Sequence, residues 1–304
     1  MDFRLKTFVS VARHRSFTRA ANELFITQPA VTRHIKELEA QVGTTLFDRR
    51  GGTVTLTKAG EALLFHAEKI LDSYRRMQFE MNLLTGNFSG ELRLGASSTI
   101  AQYVLPPCLA RFTTRYPEIR TTLETGNSRQ MTQALFSRSI DLALVEGETR
   151  HNGIHYEPWM RDELVLVTGS HSAYATRESI TLSELTALPM VLRESGSGTL
   201  EVVERRLAEH HVKLSALNVI LQMGSTEGIK SFLAEYDCVA LLSVQSVTRE
   251  LMSDTLTVID IEEVSFEREF SFATLQGVPS AMADSFKQFA AATQPSPRKT
   301  ARKA

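Results

Sequence analysis

The stretch Ser16-Phe17-Thr18-Arg19-Ala20-Ala21-Asn22-Glu23-Leu24-Phe25-Ile26-Thr27-Gln28-Pro29-Ala30-Val31-Thr32-Arg33 reads as helix, turn, helix. Ser16 can cap a helix that carries Ala20, Ala21 and Leu24 on one side. Phe25 and Ile26 make the turn. Thr27 can cap a second helix opening Gln28-Pro29, where the missing proline N–H costs nothing. Val31, Ile35, Leu38 and Val42 form its inward stripe, which leaves Gln28, Thr32, Arg33 and Lys36 facing out. Upstream, Leu5, Phe8, Val9 and Ala12 recur at helical spacing. Downstream, β-prone runs on either side of Gly51-Gly52 form a small hairpin with Arg49 and Arg50 at its tip.

Two short helices joined by a tight turn can present the second to a DNA major groove, its first residues nearest the bases. Gln28 can then pair with adenine and Arg33 with guanine, and Thr32 can touch a thymine methyl or a base edge. Thr27 and Pro29 sit at the helix N-terminus, where a hydroxyl and free N–H groups suit a phosphate. Lys36 and His34 lie further along. Arg49 and Arg50 would meet phosphates or a narrow minor groove. Taken singly, each of these is a solvated surface group; the frame makes them a set.

Charge supports the frame. Residues 1–60 hold ten Lys/Arg against five Asp/Glu, while residues 91–290 hold seventeen against twenty-six, so a net charge of −1 conceals a basic head and an acidic body. A basic head meets a polyanion. The chain has 304 residues, 42% of them hydrophobic, which predicts at least two domains with large cores. Two cysteines exclude a disulfide scaffold and a thiolate-rich metal cluster. The first residues carry charges where a signal peptide would be apolar, and the reading is a cytoplasmic protein.

Over residues 58–86 the apolar positions Leu63, Ala67, Ile70, Tyr74, Met77, Met81 and Leu84 alternate in steps of four and three, the seam of a coiled coil. Such a helix would dimerise the chain; the plainer alternative is a helix lying on its own domain. Gly86-Asn87-Phe88-Ser89-Gly90 breaks the helix, with 87–90 as the hinge. Beyond it, strands are expected at Leu92–Ala96, Arg120–Thr125, Asp141–Glu146, Glu163–Thr168, Met190–Arg193, Val219–Met223, Cys238–Leu242 and Glu269–Leu275. Helices are expected at Ile100–Arg115, Ser128–Ser137, Thr181–Leu185, Thr199–His211, Thr226–Glu235 and Ala281–Ala292. The alternation predicts an α/β body with mainly parallel sheets.

The blocks Ser16–Leu24, Thr27–Glu39, Leu46-Phe47-Asp48-Arg49 and Leu56-Thr57-Lys58-Ala59-Gly60 resemble the winged helix-turn-helix of LysR-type transcriptional regulators. The length, the heptad helix and the α/β remainder fit that family along the whole chain. The resemblance implies an all-α winged DNA-binding domain (1–57), a dimerisation linker helix (58–86) and an effector-binding domain (91–292) similar to periplasmic binding proteins. Its lobe I would span 91–161 and 266–292, and its lobe II 162–265, joined by two crossings. A homodimer along the heptad helix demands a duplex operator with an inverted repeat, the resemblance implies that dimers pair further into a homotetramer, and RNA polymerase is a further expected partner. The run Ser195-Gly196-Ser197-Gly198-Thr199 resembles the branch with CysL- and CbbR-type regulators.

Four polar segments stand at strand ends just before helices: Ser97-Ser98-Thr99, Gly126-Asn127-Ser128, Glu194-Ser195-Gly196-Ser197-Gly198-Thr199 and Gly224-Ser225-Thr226. Ligands of α/β sheets collect outside the carboxyl ends of strands, and hydroxyls at helix N-termini favour small anions. Any one segment alone is a helix cap; four together mark an effector cleft for a small anion, provided that Glu146 and Glu194 pair with Arg193, Lys230 or Arg129. No catalytic residues, cofactor or metal site are expected: Glu194-Ser195-Gly196-Ser197-Gly198 lacks the first glycine of a nucleophile elbow, and the histidines have no metal-ligand spacing. An α/β hydrolase-like enzyme or a solute-binding protein are the competing classes, and neither explains the basic head. Cys108 and Cys238 read as buried, unreactive thiols, and 293–304 as a disordered basic tail.

Overall fold

The computed structural model describes residues 3–49, 53–84, 89–278 and 280–293. It divides into two compact units, Met1–Gly90 and Glu91–Ala304. In the first, α1 (Phe3–His14), α2 (Phe17–Leu24) and α3 (Gln28–Val42) close on a core of Phe8, Val11, Ala20, Val31, Ile35 and Leu46. The caps are those the sequence names. Ser16 Oγ accepts from the Arg19 N–H, and Thr27 Oγ1 from the Ala30 N–H. Phe25 ends α2 in the left-handed region at φ 54°, so two of its turn's N–H groups reach back to Ala21 and Asn22. Strands β1 (Phe47–Asp48) and β2 (Thr55–Leu56) pair antiparallel as the expected hairpin. The tip residues Arg50, Gly51 and Gly52 lie outside the described residues.

Two expectations for this unit change. Val42 is exposed rather than inward, because Gly43 ends α3 there in a left-handed turn (φ 73°). Helix α4 (Lys58–Leu84) is continuous as expected, but Ala67 does not belong to a free seam. It is fully buried with Leu71 in the head's own core, with Leu63 and Leu64 packed against them. The spacing of these four differs from that of Ile70, Met77 and Met81, which stay exposed. The helix therefore has two apolar faces: one anchors it to the head, the other is open. Residues 85–88 and the tail from 294 on are outside the described residues.

The second unit is built on one long sheet in the order β4-β3-β5-β12-β6-β10-β8-β9. At one end lie β3 (Gly90–Ser97), β4 (Ile119–Gly126) and β5 (Leu142–Val145), with α5 (Leu105–Arg115) and α6 (Ser128–Phe136). At the other lie β8 (Met190–Arg193), β9 (Val219–Met223) and β10 (Val239–Ser243), with α7 (Leu182–Ala187), α8 (Gly198–Glu209), α9 (Thr226–Leu233) and α10 (Val244–Met252). Strands β3 and β5 run parallel, as do β8 with β9 and β8 with β10. The expectation of mainly parallel sheets fails in the middle: β12 (Phe266–Leu275) runs antiparallel to both β5 and β6 (Ile154–Gly169), and β6 antiparallel to β10. These two long strands carry the chain between the ends, pairing Asp162 with Arg268 where they cross.

Only the second half of β6 is legible in the sequence. Pro158 obscures the first half, since a strand interior needs its N–H. A register shift between Phe270 and Ser271 absorbs it: Met160 pairs with Phe270 and Pro158 with Ser271, leaving Trp159 as the extra residue of a bulge. Strand β7 (Ser179–Ile180), β11 (Leu256–Ile261) and α10 are likewise absent from the expected elements. The helix expected over Ile100–Arg115 begins with five π-helical residues, Ile100–Val104, before α5. Pro106 and Pro107 offer no N–H to the turn above, so the ladder shifts by one residue. Helix α11 (Ala281–Ala292) packs Phe286 on Phe112 of α5, their rings 5.0 Å apart, and Thr293 caps it.

Candidate DNA-reading face and effector cleft

The outer face of α3 is furnished with donors that make only short-range contacts. Gln28 Nε2 donates to Thr32 Oγ1 one turn on (3.1 Å). The Arg33 side chain is 72% exposed, and its Nε lies 3.6 Å from Glu37 Oε1. Lys36, Pro29 and Thr27 are exposed, and Thr32 is half-buried. Exposed i,i+4 pairs of this kind contribute a few tenths of a kcal/mol, so a duplex could compete for either group. His34 is different. Its ring meets Thr7 Oγ1 at 3.2 Å and the Phe3 ring edge-on, which fastens α3 to α1. The Arg49 guanidinium carbon lies over the Phe17 ring, 4.3 Å from its centroid, a contact that fixes the base of the wing to α2.

In the second unit all four polar segments stand at the junction where the two strand groups meet. Here the donors are committed to internal partners. Glu146, fully buried at the end of β5, accepts from Thr99 Oγ1 and Thr199 Oγ1, each at 3.3 Å. Arg268 donates to Thr199 Oγ1 (2.9 Å) and to Asp162 Oδ2 (2.6 Å). Its Nη2 lies 3.1 Å from Glu146 Oε2 without hydrogen-bonding alignment, so that contact is an attraction between charges. Ser243 Oγ donates to Asp162 Oδ1 (2.8 Å). Gly198 brings α8 against β5: a Cβ there would lie 2.3 Å from the Glu146 carbonyl oxygen. Ser128 Oγ donates to that same carbonyl (2.8 Å).

The remaining segments follow the same rule, Ser97 excepted. Ser98 Oγ donates to the Gly126 carbonyl (3.2 Å). Asn127 caps α6 in a reciprocal box with Gln130, and its Nδ2 reaches Glu194 (3.4 Å). Ser197 and Ser225 cap α8 and α9. Thr226 Oγ1 accepts from Arg193 Nη1 (3.1 Å), whose Nε holds Glu194 at 3.0 Å. Among the described residues, Ser97 Oγ is buried without a hydrogen-bond partner. Of the two pairings expected for the acids, Glu194 finds Arg193. Glu146 finds Arg268, a residue the sequence reading does not name, because it comes from a crossing strand far along the chain.

Comparison with known proteins decides the family. Residues 3–61 match the model for the bacterial regulatory helix-turn-helix protein of the lysR family, and residues 85–295 match the LysR substrate binding domain. The chain belongs to the LysR family of DNA-binding transcriptional regulators. Its relatives include the HTH-type transcriptional regulator CysL of Bacillus subtilis (strain 168), 31% identical over 88% of this chain and 89% of that one. The RuBisCO operon transcriptional regulator of Allochromatium vinosum is 32% identical over 94% and 93%. Among solved structures, full-length CbnR in complex with its target DNA superposes with a TM-score of 0.64 over 96% of this chain and 99% of that one, at 20% identity. The regulatory domain of Synechocystis PCC6803 CcmR in complex with 2-PG gives 0.62 over 68% and 98%, at 27% identity.

As in LysR regulators generally, an N-terminal helical reader precedes a two-lobed α/β body that binds a small molecule. The lobes of this regulator also touch through a second cluster. Lys230 Nζ binds Glu227 and Glu250, each at 2.7 Å, and the Tyr103 hydroxyl donates to Glu227. Burial and the neighbouring Glu227 push the Tyr103 phenol well above its ordinary range. Burial works to raise Glu227, but hydrogen bonds from Lys230 and Tyr103 outweigh it and hold the carboxyl below its usual value. Both cysteines are buried, as expected. Burial, reinforced by Asp237, pushes the Cys238 thiol up to about 11, and burial raises Cys108 as well. No helix among the described residues is long and apolar enough to cross a membrane, and no three His, Cys, Asp or Glu side chains among them group as metal ligands.

Proposed function

We propose that this LysR regulator reads an inverted-repeat operator through Thr27, Gln28, Pro29, Thr32, Arg33 and Lys36, with Arg49 and Arg50 of the wing on the backbone. The observation that carries this is the outer face of α3, where, among the described residues, Arg33 and Gln28 are held only by neighbours one turn away. The chain dimerises along the open face of α4, where Ile70 and Met77 are exposed, and dimers pair into tetramers through the effector domains. Bound to DNA in the cytoplasm, the assembly meets RNA polymerase and catalyses no reaction itself. Its effector is a small anion held between lobe I (91–161 and 266–292) and lobe II (162–265) at Ser97, Ser98, Thr99, Gly126, Asn127, Ser128, Ser197, Gly198, Thr199, Ser225 and Thr226. The complex of CcmR with 2-PG, a relative of this body at 27% identity, supports a small-molecule effector.

Footprinting on the DNA upstream of the protein's own gene tests the reading. The wild type should protect two half-sites a whole number of helical turns apart. Ile70→Glu, on a side chain 55% exposed, should leave the head folded yet yield monomers by light scattering and lose the footprint. An unchanged oligomer would place the seam elsewhere.

A further inference from the structure

Among the described residues Phe25 is the most exposed large apolar side chain, at 90%, and it stands in the turn of the helix-turn-helix. Its backbone is left-handed as well, at φ 54° and ψ 40°. A Cβ is crowded there by the following carbonyl oxygen, so glycine or asparagine fills such positions at lower cost. The other described non-glycine residues at positive φ are Arg15, Arg138, His211 and Asp254, all of them polar.

The turn does not need the ring. The Phe25 N–H donates to the Asn22 carbonyl (3.3 Å) and the Ile26 N–H to the Ala21 carbonyl (3.0 Å), bonds that any residue in this conformation can make. Ile26, half-buried against the head's core, supplies the apolar anchor of the turn. A side chain that carries a conformational cost and buries nothing does not stabilise the fold, which directs attention to what it meets outside.

Phe25 lies at the edge of the reading face. Thr27, two residues on, caps α3, and Gln28 opens it; both are exposed. When such a helix lies in a major groove, the helix before it crosses the phosphate backbone, so the turn that joins them comes against the strand at the groove's edge. Between its phosphates that strand presents the C–H faces of deoxyribose rings, on which an uncharged ring can be buried without a counter-charge.

We infer that the Phe25 ring is a DNA contact, packed on the deoxyribose face of the backbone beside the phosphate received at the Thr27 end of α3. The contact is apolar and carries no base information, so it adds affinity to every duplex alike. This inference rests on the proposed reading of the operator through α3.

Gel-shift titrations of the full chain test it, on the DNA upstream of its own gene and on an unrelated duplex, each over a range of salt and beside thermal melting. Phe25→Gly suits the left-handed turn and should melt no lower than the wild type. It should bind both duplexes about five- to twentyfold more weakly. The slope of log affinity against log salt should stay as it was, since no ion pair is lost. Phe25→Tyr keeps the ring and should recover most of the affinity. Arg33→Ala is the reference. Wild-type affinity in Phe25→Gly, with the operator weakened in Arg33→Ala, overturns the inference and leaves the reading face standing. A loss confined to the operator would move the ring onto a base, and a lower melting temperature would make it a packing residue of the head; either overturns the sugar contact. Wild-type affinity in both variants would overturn the reading face and this inference with it.

Discussion

The reading head and the effector cleft both gather arginines and hydroxyls, and they use them in opposite ways. On α3, Arg33 and Gln28 point to solvent and lean on residues one helical turn away. In the cleft, Arg193 and Arg268 are buried and joined to Glu194, Glu146 and Asp162. An exposed pair contributes little and yields easily to a partner. A buried charge without its counter-charge is costly, so Arg193 and Arg268 stay with their carboxylates. The head is therefore ready for its ligand, whereas the cleft's centre already contains a carboxylate of its own.

Arg268→Ala should show the largest effect. It leaves Glu146 and Asp162 buried without their cation, and breaking such a pair costs about 3–5 kcal/mol. Urea denaturation of the full chain measures it; an unchanged midpoint would mean that the network does not hold the crossing strands together. Arg33→Ala should do the reverse. Its stability should stay within about 0.5 kcal/mol of the wild type, while binding to the operator weakens by about 1–3 kcal/mol and specificity relaxes at one base position. Glu37→Ala, which frees Arg33 from its neighbour, should bind DNA no worse, and gel-shift titrations of the two variants side by side would reveal it if the pair instead positions the guanidinium.

The smallest expected effect concerns the thiols. With Cys238 pushed up to about 11 and Cys108 raised by burial, the native protein should react slowly with a thiol-alkylating reagent near neutral pH. Because a raised thiol pKa lowers the thiolate fraction, the rate should climb as pH rises toward that value and become fast at any such pH once the chain is unfolded. Mass spectrometry after timed labelling distinguishes the two, and rapid native labelling would put a reactive cysteine in the body after all.

How much was legible from residues alone follows from how far apart the interacting groups are. The Ser16 and Thr27 caps, the turn at Phe25 and the inward positions Val31, Ile35 and Leu38 depend on neighbours within four residues, and each stands where the sequence reading puts it. The exact limits of β8, β9 and α11 were also readable, since apolar runs and a serine cap bound them. Pro158 hid half of β6 because only its partner strand supplies the bulge that accommodates it. Periodicity placed Ala67 in the open seam, but a helix with two apolar faces cannot say which face its own head will cover.

By itself, then, the sequence determined the order of elements, the helix-turn-helix and the outward donors of α3, because caps, turns and helical faces are set within a few residues by backbone hydrogen bonding and side-chain spacing. The tertiary structure alone decided which charges meet. Arg268 reaches Asp162 across 106 residues of chain, and it lies beside Glu146 only because β6 and β12 cross the junction paired with one another. A charged residue's spacing in the chain does not reveal its partner; in the low-dielectric junction that partner decides whether the group is free for a ligand or bound within the fold.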